Sequence, residues 1–456
     1  MRIRGLILWM LAGAGACPGD WNTLGGDARR SSGAPVGPVD LSAPTWCFEP
    51  AADESIVPAA TPIACAGRVY VIARVFADGL HMANRVIAVS AVDGVRLWSA
   101  DLEPDLLDSW STPAFDAAND RLMVASGYTL SALNAADGAI SWQTVFSNPL
   151  INVSPVVSVG FLEADVPANR VYVTDYAPYG TGTLFAINVE DNRGPSAPYD
   201  PGDVVWSAAL GPTAGNSASL SDSSVVVTTV DGQIKAFEAQ SGLPRWTTQA
   251  LAVSPSHGFF GGCALDHGYV YAASYRFDGG SNNSQLVKLS GADGSLVWSV
   301  ACERTDSIPV VHRGRVYLAG GINGFGSAPR VQAFDDGGLT ASLVWDTYAD
   351  TAGSLLLGHW VHQPARLGRF LVVGMPDALD ALDYGLQVHR IDTELTPADP
   401  EFVVDGFVGA GGAAAADAGA WYVVGSAGLF RFDGELSPGD SMKRIPVGAL
   451  DEVPVE

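Results

Sequence analysis

Short apolar runs rich in valine and tyrosine recur along the whole chain, each bounded by polar, glycine-containing segments. Eight of them fall at residues 69–71, 122–124, 171–173, 225–227, 270–272, 316–318, 370–372 and 421–423. Unbroken apolar runs this short suit strands covered on both faces, as in a sheet packed between two others. A second run follows each, at residues 86–89, 130–133, 184–187, 234–237, 286–289, 331–334, 386–391 and 429–432. Paired strands recurring at roughly 40–50 residues are the pattern of a propeller or solenoid. No long helical periodicity interrupts them.

A turn and a tryptophan close most units. Residues 88–94 lead to Trp98, residues 132–138 to Trp142, residues 236–242 to Trp246 and residues 288–294 to Trp298, and each tryptophan lies four positions after a glycine. Asp93-Gly94, Asp137-Gly138 and Asp293-Gly294 are hairpin dipeptides, in which glycine accepts positive φ without steric cost. The indole then offers a flat apolar face to the edge of the neighbouring sheet. Other copies are worn. A proline-rich insertion at 191–202 precedes Trp206, a short one precedes Trp345, and the last two units lack the tryptophan. Trp46 stands ahead of the first complete unit as an orphaned closing strand. The pattern predicts an all-β, eight-bladed propeller of four-stranded blades. An N-terminal strand around residues 44–48 completes the blade that holds 421–432 and leaves no open sheet edge. Trp46, Trp98, Trp142, Trp206, Trp246, Trp298 and Trp345 are the expected docking residues, and a closed ring needs no second copy.

Charge narrows the partners. The net charge is −24, and Lys235, Lys288 and Lys443 are the only lysines. Such a surface repels phosphate backbones and anionic headgroups, which argues against nucleic acid. Residues 1–16 read as a signal peptide, with Arg2 and Arg4 ahead of an apolar core at 6–11 and small residues at 14–16. The expected organisation is signal peptide 1–16, lead-in segment 17–43 and propeller 44–456. Cys17, directly after the small residues, resembles a bacterial lipoprotein cleavage site, although Ala14 stands where that site prefers leucine. Two processings therefore stay open: acylation of Cys17, with membrane contact only through the lipid, and ordinary cleavage after Ala16. Acylation leaves four cysteines, an even number for an oxidising compartment. Of the three pairings open to them, Cys47–Cys65 and Cys263–Cys302, which join neighbours in sequence, are expected.

Asp20-Trp21-Asn22-Thr23-Leu24-Gly25-Gly26-Asp27, followed by Ser32-Gly33, resembles the opening of the pyrroloquinoline-quinone-like propeller superfamily. That superfamily's Ala-x-Asp-x-x-Thr-Gly-Lys-x-x-Trp docking motif is matched in spacing by the four copies above. Asp93, Asp137, Asp293 and Ser241 stand where it carries threonine. The resemblance implies either quinoprotein dehydrogenases, which hold the quinone and Ca²⁺ in a central funnel, or a non-enzymatic branch similar to the propeller lipoprotein of the outer-membrane barrel-assembly machinery. The residues themselves offer little chemistry. No Cys-Cys pair occurs, and Asp335-Asp336 and Asp377, Asp380 and Asp383 read as turn residues rather than calcium ligands. His359 and His362 fall on opposite faces of a strand, while His257, His267 and His312 are isolated. No Gly-x-Ser-x-Gly elbow is present. The expectation is an exported, non-catalytic envelope scaffold that binds proteins and needs no cofactor. The alternative is a quinone- and calcium-dependent dehydrogenase or a carbohydrate-binding propeller, for which Trp110 and Tyr179 are candidate contacts.

Overall fold

The computed structural model describes residues 20–38, 43–107, 109–163, 166–191, 198–321, 330–347, 363–376, 384–391, 402–404, 414–417, 419–425 and 428–436. Among them it is all β and forms an eight-bladed propeller of four-stranded antiparallel sheets. The first strands of the blades are Ile63–Cys65, Ala114–Asp116, Val156–Val157, Ser219–Leu220, Ala264–Asp266, Val310–His312, Ala365–Leu367 and Ala414–Ala416. Six of the eight neighbouring pairs of first strands adjoin, and Ala414–Ala416 returns to Ile63–Cys65, so these short strands form the inner wall and close the circle. The second strands are the valine-rich runs. Arg170–Thr174 and Ser224–Thr228 are buried at every position because a neighbouring blade covers each face. The core accordingly lies between sheets. Tyr70, Ile72 and Trp98 of blade 1, for example, pack against Phe115, Leu122 and Leu133 of blade 2.

The spacing of glycine and tryptophan now has a structural cause. Within a blade, Trp98 sits across from Ala88, Trp142 from Ala132 and Trp246 from Ala236, and small residues there leave room for the ring. The second-strand tyrosine packs on the same indole, as Tyr70 does on Trp98 (5.8 Å) and Tyr172 on Trp206 (5.9 Å). The ring then reaches the next blade. Trp98 Nε1 donates to the Ala135 carbonyl (2.9 Å), Trp206 to Ala239 (3.0 Å) and Trp246 to Gly291 (2.9 Å). Beneath each ring lies the turn glycine of that next blade. Gly138 has φ of 75°, and a Cβ there would stand 2.5 Å from Trp98 Cε3, so both backbone and contact demand glycine. Trp142 lies over Gly202 without a partner for its indole nitrogen, and Trp345 is buried against Tyr317 (6.2 Å).

Blade 8 is completed from the other end of the chain. Trp46–Phe48 pairs antiparallel with Gly428–Leu436, matching Trp46 to Arg431 and Phe48 to Leu429. Trp46 packs on Tyr422 at 5.9 Å, donates to the Ala91 carbonyl of blade 1 at 3.3 Å and lies over Gly94. It thus fills the place of the tryptophan missing from the eighth unit.

The cysteine pairings expected above are not formed: Cys47, Cys65, Cys263 and Cys302 are free thiols. Cys47 lies on the closing strand of blade 8, whereas Cys65 lies on the innermost strand of blade 1. Cys263 precedes the first strand of blade 5, and Cys302 ends its fourth. Three strand spacings of roughly 4.8 Å put that pair on the order of 14 Å apart, beyond the reach of a disulfide. Cys17 lies outside the described residues.

One blade junction carries a titratable pair. Asp116 of blade 2 accepts from Asn119 Nδ2 (2.9 Å), which also approaches Glu190 of blade 3 (3.5 Å). Burial, with the Glu190 charge adding to it, pushes the Asp116 carboxyl up to about 6. The folded state therefore holds this proton to higher pH than the unfolded chain does. Stability is lost as pH rises from the ordinary carboxylate range through about 6, by roughly 3 kcal/mol for a shift of this size. An Asp116→Asn variant is expected to lack that loss and to be the more stable protein at pH 8. Urea unfolding at pH 4 and pH 8 measures it; wild-type and variant curves that stay parallel would refute the assignment.

Candidate functional site: the axial channel and its plug

Residues 20–34 do not lead into the ring from outside; they run around its inner rim. Trp21 exchanges backbone hydrogen bonds with Ala64 of blade 1, and the Asn22 carbonyl accepts from Phe115 N of blade 2. Thr23 Oγ1 donates to the Pro155 carbonyl beside blade 3 (2.8 Å). The carbonyls of Ala28, Arg29 and Ser32 accept from Leu220 of blade 4, Leu265 of blade 5 and Arg366 of blade 7. Gly33–Ala34 then pairs parallel with Ala365–Leu367, and Val36–Pro38 pairs with the end of Gly428–Leu436.

Local chemistry makes this path. Gly25 and Gly26 (φ 70° and 84°) turn the chain, and Gly26 lies against the Trp21 indole, where a side chain would crowd the ring. Asp27 Oδ1 accepts from the backbone of Arg29 (3.0 Å) and Ser31 (3.1 Å), a turn-stabilising role typical of aspartate. At the centre is Arg30, wholly buried. Its guanidinium donates to the carbonyls of Ala218 (2.9 Å), Leu24 (2.7 Å) and Ser154 (2.9 Å) and to Thr23 Oγ1 (2.8 Å). Burial lowers it to about 10, with Asp27 opposing, so it stays charged at neutral pH.

A polar belt surrounds the plug. The Thr61 N–H donates to Thr112 Oγ1, the Thr112 N–H to Ser154 Oγ and the Ser154 N–H to Ser217 Oγ, all at 3.0 Å. Each hydroxyl satisfies the backbone of the blade before it. Gln363 does the same for Ile308 (2.8 Å) and also donates to Ser32 Oγ of the plug (3.1 Å). Sequence reasoning missed these residues. A polar residue followed by proline recurs at Thr61-Pro62, Thr112-Pro113, Ser154-Pro155 and Gln363-Pro364, just ahead of four first strands, and was a readable signal.

A small axial depression, open to solvent, remains beside the plug. Leu24, Ala59, Trp110, Asn152, Phe260 and Asp306 are among the residues that line it. Asp306 is its one carboxylate; Oδ1 is buried without a hydrogen-bond partner, and burial raises the group well above the usual carboxylate range. Calcium needs several convergent oxygen ligands. Among the described residues no group of three His, Cys, Asp or Glu converges, and Asp306 stands alone as a carboxylate in the depression.

The remaining sequence candidates sit apart. His257 is buried against Ser274 Oγ (2.8 Å), and burial lowers it; His267 is an exposed turn residue beside Asp266 (2.8 Å). His359, His362, Asp377, Asp380 and Asp383 lie outside the described residues. Tyr179 is fully exposed on the hairpin strand Ala177–Asn188, while Trp110 lines the depression. Asp336, read as a turn residue, does more. It accepts from Lys288 Nζ (2.8 Å), Tyr271 OH (2.8 Å) and Trp298 Nε1 (3.1 Å), replacing the backbone carbonyl that receives the tryptophan at other junctions.

This ring, with its tryptophan-docked turns, defines the pyrroloquinoline-quinone-like class of propellers. Within it, the family model of outer membrane protein assembly factor BamB matches residues 57–194 and 249–375, more than half of the chain, and the chain belongs to that family. No curated protein matches it in sequence. Among solved structures it is similar to BamB from Moraxella catarrhalis (17% identity, 85% of this chain and 96% of that one, TM-score 0.58). It is also similar to a europium-containing methanol dehydrogenase (12%, 89% of each chain, TM-score 0.62). The quinohemoprotein alcohol dehydrogenase from Comamonas testosteroni is similar as well (13%, 91% and 79%, TM-score 0.63). At these identities the structural likeness shows the fold alone.

Proposed function

We propose that this protein is a non-catalytic propeller scaffold that binds other proteins in the bacterial cell envelope. It is exported by the leader at residues 1–16 and held by an acylated Cys17. The observation that carries this reading is the match of the BamB family model to residues 57–194 and 249–375. Residues 20–34, locked by a buried arginine, add rigidity to the ring from within. What stays free for function is the rigid outer surface, including exposed apolar side chains such as Leu80, Met82, Leu107 and Tyr179. A stiff ring loses little conformational entropy when it binds, which favours its use as a docking platform.

The test is affinity capture of the tagged full-length protein from crosslinked envelopes of its own bacterium, alongside dye-reduction assays with quinone and Ca²⁺. A reproducible envelope-protein partner and no quinone-dependent turnover are expected. Alcohol or aldose oxidation above background would overturn the non-catalytic assignment, and envelopes yielding no stable partner would overturn the scaffold.

A further inference from the structure

The axial depression is not explained by the scaffold reading. Its walls come from opposite sides of the ring: Trp110 precedes the first strand of blade 2, and Asp306 precedes that of blade 6. Gly215, Gly261 and Gly262 line it without side chains, and Gly261 lets the Asp306 backbone approach so closely that a Cβ there would clash with its carbonyl. Trp110 is fixed through its backbone N–H to Asn152 Oδ1 (3.2 Å). Phe260 is held edge-on by Phe277 (5.1 Å) and Tyr275 (6.0 Å). Across the ring from Trp110 the chain buries the Asp306 carboxyl, whose Oδ1 meets no donor. A buried acceptor left unpaired is costly, and such an arrangement persists where a ligand supplies the missing donor.

Three properties of the pocket select the ligand. An acidic protein of net charge −24 concentrates cations around itself. A depression lined by one carboxyl group and two aromatic rings suits one compact N–H-bearing cation, since the rings attract positive charge and the carboxylate takes the hydrogen bond. The side-chain oxygens of Asn152, Ser217 and Gln363 in the lining already accept backbone N–H groups, which makes them poor ligands for a divalent metal. We propose that the axial depression binds an organic ammonium group, with Asp306, ionised by the adjacent positive charge, as counter-ion and Trp110 and Phe260 as aromatic walls. The ammonium comes either from a free amine or from the lysine side chain of a bound protein. The site stands independently of the scaffold assignment, because a free amine needs no protein partner.

The experiment titrates the full-length protein with n-pentylamine and with N-acetyl-lysine methylamide, followed by calorimetry. n-Pentanol and the Nε-acetylated lysine derivative serve as neutral controls. Both amines are expected to saturate one site and neither control to bind. Asp306→Asn, which removes the charge and keeps the shape, should weaken binding roughly tenfold or more, and Trp110→Ala a few-fold. Tighter binding of the lysine derivative than of pentylamine assigns the site to a protein side chain, and the reverse order to a small molecule; either supports it. Equal affinity in Asp306→Asn, binding of the neutral controls, or uptake that follows ionic strength alone and survives both substitutions would overturn it.

Discussion

An Arg30→Ala variant is expected to lose about 3–5 kcal/mol of folding free energy, because truncation strands several buried acceptors at once. The guanidinium ties Leu24 and Thr23 of the plug to Ser154 beside blade 3 and Ala218 beside blade 4. No carboxylate forms an ion pair with it among the described residues, so its charge is distributed over carbonyl dipoles. Lysine at this position keeps the charge and loses the planar fork, and is expected to rescue little. Urea unfolding of Arg30→Ala, Arg30→Lys and Arg30→Met measures the effect. Near-full rescue by lysine would show that charge, rather than fork geometry, holds the plug. Wild-type stability in the alanine variant would show that the plug is ornamental to the ring.

The contrast between strands and plug explains what the sequence disclosed. The second strands were legible because a neighbour covers both faces, which leaves an apolar run such as Val225-Val226-Val227 with no polar alternation. The spacing of glycine and tryptophan was legible because each junction repeats the same contact, Trp98 on Gly138 and Trp246 on Gly294. Asp336 was not, because a side chain there substitutes for the backbone acceptor of the other blades, and one exception carries no period. The plug had no period either. Its partners lie far along the chain, as with Arg30 and Ala218, 188 residues apart. The cysteine pairings failed for a related reason: Cys263 and Cys302 flank the innermost and outermost strands of one blade, and Cys47 and Cys65 belong to different blades, so proximity along the chain is not proximity in space.

Replacing residues 44–48 by a glycine–serine run of equal length is expected to open the whole ring. Trp46–Phe48 is the fourth strand of blade 8, and its loss uncovers the edge of Gly428–Leu436. It also removes the indole that bridges Tyr422 to the Ala91 turn of blade 1. Trp46→Ala alone should cost about 2–4 kcal/mol, somewhat below a fully buried tryptophan because this ring is partly exposed. The strand replacement should cost more. The first strands of blades 8 and 1 adjoin at the same junction, so parting the outer strands there turns a circle into an open stack with two exposed faces. Amide hydrogen exchange distinguishes the outcomes. Accelerated exchange in the second strands of every blade, Arg121–Ser126 and Ser224–Thr228 as much as Ala420–Gly425, is the result expected of a closed ring. Acceleration confined to Ala420–Gly425 and Gly428–Leu436 would mean that the other blades hold together without the closure, each stabilised by its neighbour alone.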